Sequence, residues 1–134
     1  MIRFENKTKT IIKYQNLSTW LNRITMEEEK KTGDITYVFC DDNFLLKKNQ
    51  KFLNHETLTD IITFDYSDNK IISGDIIISI DRVKDNAKIF KVSFFNELKR
   101  VMAHGLLHLI GYNDKTEKEI TLMRDKENYY LSKS

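Results

Sequence analysis

Apolar and polar positions along the chain change period several times, and each change marks an element. Ile35, Tyr37 and Phe39 alternate with Thr36, Val38 and Cys40, the period of two that sends successive side chains to opposite faces of a strand. Residues 59–65 and 71–80 are rich in isoleucine. They predict two strands joined through 66–70 as a hairpin, and their nearly continuous apolar character predicts a sheet covered by helices. Ahead of them, Leu17, Trp20, Leu21 and Ile24 recur at helical spacing. That stripe predicts a helix capped by Ser18, running to about Lys31 and stopped by Gly33. Residues 42–53 predict a short helix, and 2–6 and 10–14 read as short extended pieces.

The C-terminal half is helical in pattern. Asp81 is the expected cap of a helix over 82–91, with Val83, Ala87 and Phe90 on one stripe. Ser93 is the expected cap of a longer helix, 94–110, whose second half is apolar almost all round and so belongs in a core. Gly111 stops it. Thr116 and Glu119 have the spacing of a capping box, opening a last helix with Ile120, Met123, Glu127 and Tyr130 on one side. Mixed strands and helices followed by helices alone predict an α+β fold, a small mixed sheet packed with helices.

Composition narrows the classes. With 134 residues, 40% hydrophobic and 31% charged, the chain has the make-up of one globular domain spanning 1–134 and not of a disordered or collagen-like chain. No apolar run approaches the about 20 residues of a membrane span. Residues 1–17 lack the apolar centre of a signal peptide, so no export leader is expected. One cysteine, Cys40, allows no internal disulfide, and a reducing, cytoplasmic setting follows most simply. The net charge of +2 is too small to single out a nucleic-acid protein. Between Arg82 and Arg100, however, six basic residues face two acidic ones. Arg82, Lys84, Lys88 and Lys91 could hold an RNA backbone if they face a cleft, or could equally be a solvated helix face.

Candidate chemistry concentrates in His104-Gly105-Leu106-Leu107-His108-Leu109-Ile110-Gly111-Tyr112-Asn113-Asp114. Histidines at i and i+4 project from one helix face about 5–6 Å apart, so both imidazoles can reach one ion. Gly111 can turn the chain back and bring Asp114 to the same face as a third ligand. Two histidines and a carboxylate leave one tetrahedral position open, as in catalytic zinc sites. The alternative is a pair of core histidines bonded to backbone, followed by a capped turn. A structural zinc is disfavoured because no cysteine lies nearby. A protease of the H-E-x-x-H type is disfavoured because Gly105 occupies the glutamate position.

The segment resembles the H-G-x-L-H-L-x-G-Y-D-H hallmark of the YbeY-type endoribonucleases of rRNA maturation. Thr59-Asp60-Ile61-Ile62-Thr63-Phe64 is similar to that family's T-D-V-L-S-F strand, and Gly74-Asp75-Ile76 through Ser79 to its G-D-I-x-I-S strand. Glu97-Leu98 stands before the histidines as the family's E-L does, and Met123 with Glu127 fits its last helix, so that about 85 residues are covered. Two positions depart. Asp114 stands where the family has a third histidine, and Leu53 falls where the family has an arginine, a phosphate-handling role that Lys51 or His55 could take.

The resemblance implies a metal site in a cleft at the end of a buried central helix, with His104, His108 and Asp114 holding one Zn²⁺ per chain. It implies a single-strand-specific endoribonuclease of 16S rRNA 3′-end maturation and ribosome quality control, with rRNA and the small ribosomal subunit as partners and neither DNA nor membrane expected. Two other readings stay open, a hydrolase of another substrate and a non-catalytic ribosome-assembly factor whose zinc braces the fold.

Overall fold

Four strands form one sheet in the order β1-β2-β4-β3: β1 (Ile2–Asn6), β2 (Lys31–Cys40), β3 (Ile61–Asp65) and β4 (Ile71–Ser79). β1, β2 and β4 run parallel, and β3 is antiparallel to β4 at the edge. The structure, a computed structural model, describes residues 1–53 and 59–134, and only the backbone for residues 50–53. The side chains of Lys51, Leu53 and His55 lie outside the described residues. Five helices complete the order: α1 (Leu17–Glu27), α2 (Asp42–Leu53), α3 (Ile80–Phe90), α4 (Phe94–Ile110) and α5 (Glu117–Leu131). The α+β reading holds, and the sheet is mixed because the β3–β4 hairpin joins a parallel core.

Both faces of the sheet are covered, which explains the isoleucine run. Ile35, Tyr37 and Phe39 of β2, with Ile76 and Ile78 of β4, are fully buried in a large core with α1, α4 and α5. The alternate positions Cys40, Ile62 and Ile77 pack with Leu45 of α2 in a smaller cluster. Burial there pushes the Cys40 thiol up to about 12, so it is inert at neutral pH.

Several boundaries differ from the sequence expectation. Residues 10–14 join no strand; they cross the sheet instead, burying Ile12 and stacking Tyr14 on Phe4 with ring centroids 5.0 Å apart. The N-cap of α1 is Asn16, which takes the left-handed conformation, and not Ser18. α1 ends at Glu27 because Glu29 also adopts positive φ and turns the chain, so Gly33 falls inside β2 beside a register shift. Ser79, not Asp81, caps α3 by accepting the Arg82 amide, while the Asp81 carboxylate accepts the Asp42 amide at the start of α2. Local propensity could not rank these caps, since the choice depends on the neighbouring element. The Ser93 cap and the Thr116–Glu119 capping box form as expected.

Two contacts hold the helices that carry the site. α4 lies against β3 and β4 at Gly105, where an added Cβ would stand 2.7 Å from Ile61 Cδ1 and 2.8 Å from Ile76 Cγ2. Beyond the sheet, the Glu28 carboxylate gathers the Tyr112 and Tyr130 hydroxyls and the Lys126 ammonium, tying the end of α1 to the turn after α4 and to α5. Its side chain is only 9% exposed. Burial alone would raise its pKa, but the three donors outweigh burial and hold it below the usual carboxylate value.

Gly105→Ala is expected to destabilise the protein by about 1–2 kcal/mol, overpacking exceeding the gain in helix propensity. Chemical denaturation would measure it. Glu28→Gln should cost about 2 kcal/mol near neutral pH. Because the folded pKa is depressed, that difference should persist above the unfolded carboxylate pKa, near 4.5, and shrink as pH falls through the folded value. Paired melts of both proteins across acidic pH would show the convergence.

Candidate metal centre

α4 is buried on most of its circumference, yet His104 and His108 share one partly exposed flank, at 22% and 24%. Their rings meet edge to face, with Nε2 atoms 2.9 Å apart. Gly111 ends the helix at φ 125°, a conformation that side chains rarely adopt. The turn that follows returns Asp114, whose Oδ2 lies 3.2 Å from His104 Nε2 and 3.4 Å from His108 Nε2. Among the described residues these form the one group of three or more such side chains able to hold a metal ion.

Proton accounting explains why. His108 Nδ1 faces the Tyr112 carbonyl at 2.9 Å and so carries a hydrogen. His104 Nδ1 faces Glu127 Oε2 at 2.6 Å, and it too donates. In the neutral tautomers both Nε2 atoms are then lone-pair acceptors, turned toward each other and toward a carboxylate oxygen. Three acceptors converging in this way repel unless a proton or a metal cation joins them. For tetrahedral bonds of about 2.0–2.1 Å, ligand atoms stand about 3.3–3.4 Å apart, close to the 2.9, 3.2 and 3.4 Å observed. The donor set fits a divalent ion with one side open to solvent.

Glu127 is the partner that sequence reasoning missed as a site residue. It sits on α5, 6% exposed, and besides His104 it accepts Arg100 Nη1 at 3.0 Å. Burial pushes Glu127 up, but His104 and Arg100 outweigh burial and leave its pKa below the ordinary value. For His104, burial favours the neutral ring; Glu127, with Asp114 and Asp60, overcomes that and raises its pKa. Glu127 thereby fixes the ring's orientation and the hydrogen on Nδ1. The sequence signals were its place on the same stripe as Met123 and Tyr130 and its match, with Met123, to the last helix of the family resembled.

A cavity of about 370 Å³ opens beside His104 and Asp114. Its floor is α4, with Glu97, Arg100 and Val101; Asn86 and Phe90 come from α3, and Ile120, Met123 and Arg124 from α5. Asp60, just before β3, also lines it, and burial raises the pKa of both Asp60 and Glu97. Glu97 is 3% exposed, and its Oε1 has no hydrogen-bond partner among the described residues.

The basic stretch 82–100 is only partly brought to this cavity. Arg100 lines it, but Arg82, Lys84, Lys88 and Lys91 do not. Arg82 is held by Asp42 and Asp85, and Lys84 donates to Thr10 Oγ1 at 2.9 Å. The reason is helical phase. At about 100° per residue, Lys84, Lys88 and Lys91 lie on one side of the buried stripe Ile80, Val83 and Ala87, and Asn86 and Phe90 lie on the other. Arg124, from α5, stands at the cavity in their place, 54% exposed.

Comparison with known proteins shows the family. The family model described as Endoribonuclease YbeY matches residues 2–134. The Endoribonuclease YbeY of Flavobacterium johnsoniae is 52% identical over 96% of this chain and 93% of its own length. That of Cytophaga hutchinsonii is 54% identical over 87% of this chain and 82% of its own. The solution structure of TM1509 from Thermotoga maritima superposes with a TM-score of 0.69 at 29% identity, covering 98% of this chain and 87% of that one. The chain belongs to the YbeY family of endoribonucleases, hydrolases that act on RNA phosphodiester bonds.

Proposed function

We propose that residues 1–134 form one catalytic domain, a zinc-dependent, single-strand-specific endoribonuclease. Its role is 16S rRNA 3′-end maturation and ribosome quality control, carried out in the cytoplasm on the small ribosomal subunit. The observation that carries this reading is the convergence of two imidazole nitrogens and one carboxylate oxygen at tetrahedral spacing, in a chain of an endoribonuclease family. No described helix is long and apolar enough to cross a membrane.

His104, His108 and Asp114 would hold the ion. When bound, Zn²⁺ supplies Lewis-acid chemistry, acidifying water and drawing charge from a phosphoryl oxygen. The protein's own residues do the remainder. Glu127 and the Tyr112 carbonyl keep a hydrogen on each Nδ1, so both Nε2 atoms stay free to ligate. Asp114 brings a negative charge where a third imidazole would bring none, leaving the centre less electropositive. Arg124, tethered only loosely to Glu127 at 3.6 Å, has donors to spare for a phosphate. Arg100 is spent on Glu127 and on Asn128.

Elemental analysis should find one zinc per chain, lost in His104→Ala and His108→Ala, strongly weakened in Asp114→Ala and retained in Asp114→His. Full zinc in Asp114→Ala would remove that residue from the ligand set. The purified, zinc-defined protein should cleave a single-stranded rRNA fragment, and His108→Ala should not. A zinc-loaded protein without turnover would leave the ion a bracing role.

RNA affinity should fall with salt through release of phosphate counterions. Arg124→Gln should reduce the slope by about one counterion contact, whereas replacing Lys84, Lys88 and Lys91 together by Gln should leave it nearly unchanged. Titrations at several salt concentrations would show which group of cations meets the strand.

A further inference from the structure

The α3 wall of the cavity contains a feature that metal ligation does not use. Phe90 is the last residue of α3, on the edge of its apolar stripe, yet the residue remains 54% exposed and lines the same cavity as His104 and Asp114. Asn86, one turn earlier on the same flank, also lines it, and its carboxamide has no partner among the described residues. The opposite wall contributes Ile120, 51% exposed, and buried Met123. An open aromatic face, a free amide with donor and acceptor, and an apolar surface across the gap match the needs of a planar heterocycle with polar edges. The volume of about 370 Å³ suits one small planar group and its sugar.

We propose that Phe90 and Asn86 form a nucleobase subsite, in which one unpaired base of the RNA strand stacks on the Phe90 ring and meets the Asn86 carboxamide with its edge. This rests on the endoribonuclease reading above and deepens it. A base held there sets its own backbone beside His104 and Asp114, and Arg124 at the cavity edge is available to a flanking phosphate. The subsite also accounts for single-strand selection. In a duplex both faces of a base are covered by neighbours and its pairing edge is occupied, so only an unpaired nucleotide can enter. Stacking on an aromatic face tolerates every base, so the contact selects for an unpaired state more than for sequence.

The test uses full-length, zinc-loaded protein and a single-stranded RNA oligonucleotide. Phe90→Ala should weaken RNA binding and raise KM about 5- to 100-fold with zinc content unchanged, while Phe90→Trp should retain both. The new indole should also be quenched when RNA binds, which a purely structural side chain at this position would not show. An abasic nucleotide moved along the strand should weaken wild-type binding at one position, and there Phe90→Ala should add nothing further. Equal binding by Phe90→Ala and wild type, or Phe90→Leu matching Phe90→Trp, would overturn the subsite while leaving the endoribonuclease reading intact. Failure of the wild-type protein itself to bind and cleave the RNA would overturn both.

Discussion

Because residue 105 has no side chain, α4 settles onto Ile61 and Ile76 at a distance where a Cβ would force those side chains to shift. That seating fixes the helix's rotation as well as its height. With Leu98, Met102, Leu106 and Leu109 committed to the core, the flank bearing Arg100, His104 and His108 has only the edge of the domain left to occupy. α5 closes over the same edge, and the Glu28 carboxylate locks the closing turn by holding Tyr112 and Tyr130 together with Lys126. The rest of the site is a consequence of where α4 is allowed to sit.

Electrostatics then decides what the site can hold. Glu127 and the Tyr112 carbonyl each consume a ring hydrogen on the outer side of a histidine, and the inner nitrogens are left as acceptors. An isolated cluster of this kind is unfavourable, and a proton or a divalent cation would relieve it. The cavity beside it is rich in carboxylates, with Asp60, Glu97, Asp114 and Glu127 against Arg100 and Arg124. A divalent ion held there would also offset a local excess of negative charge that otherwise repels a phosphate, and metal loading would then be coupled to RNA affinity.

As the third ligand of the proposed site, Asp114 would bring a carboxylate where the resemblance has a histidine, and so change the charge of the donor set. The carboxylate sits on the turn after Gly111, 40% exposed, so the group is open to solvent on that side. The walls differ in character: α3 presents an aromatic ring and an amide, α5 an apolar patch and a guanidinium. In the proposed subsite that division would separate the recognition of a base from the holding of a phosphate.

Adjacent residues carry the signals for most of the elements, for the histidine pair and for the family resemblance. Period-two alternation in β2, isoleucine runs in β3 and β4, and the i, i+4 histidines are local signals written in adjacent residues. Helix caps were legible where one polar residue stood before an apolar run, as at Ser93 and Thr116. They were misjudged where two polar residues competed and a neighbouring element took one of them, as Asp42 took Asp81. Packing between distant segments made β1, β2 and β4 parallel, set Glu127 against His104, and brought Arg124 to the cavity while Lys84, Lys88 and Lys91 stay away from it. Those outcomes depend on the rotation of each helix about its axis against a partner far away in the chain. No local pattern encodes that angle, because it is set by which side chains can interpenetrate once the sheet and α4 have met.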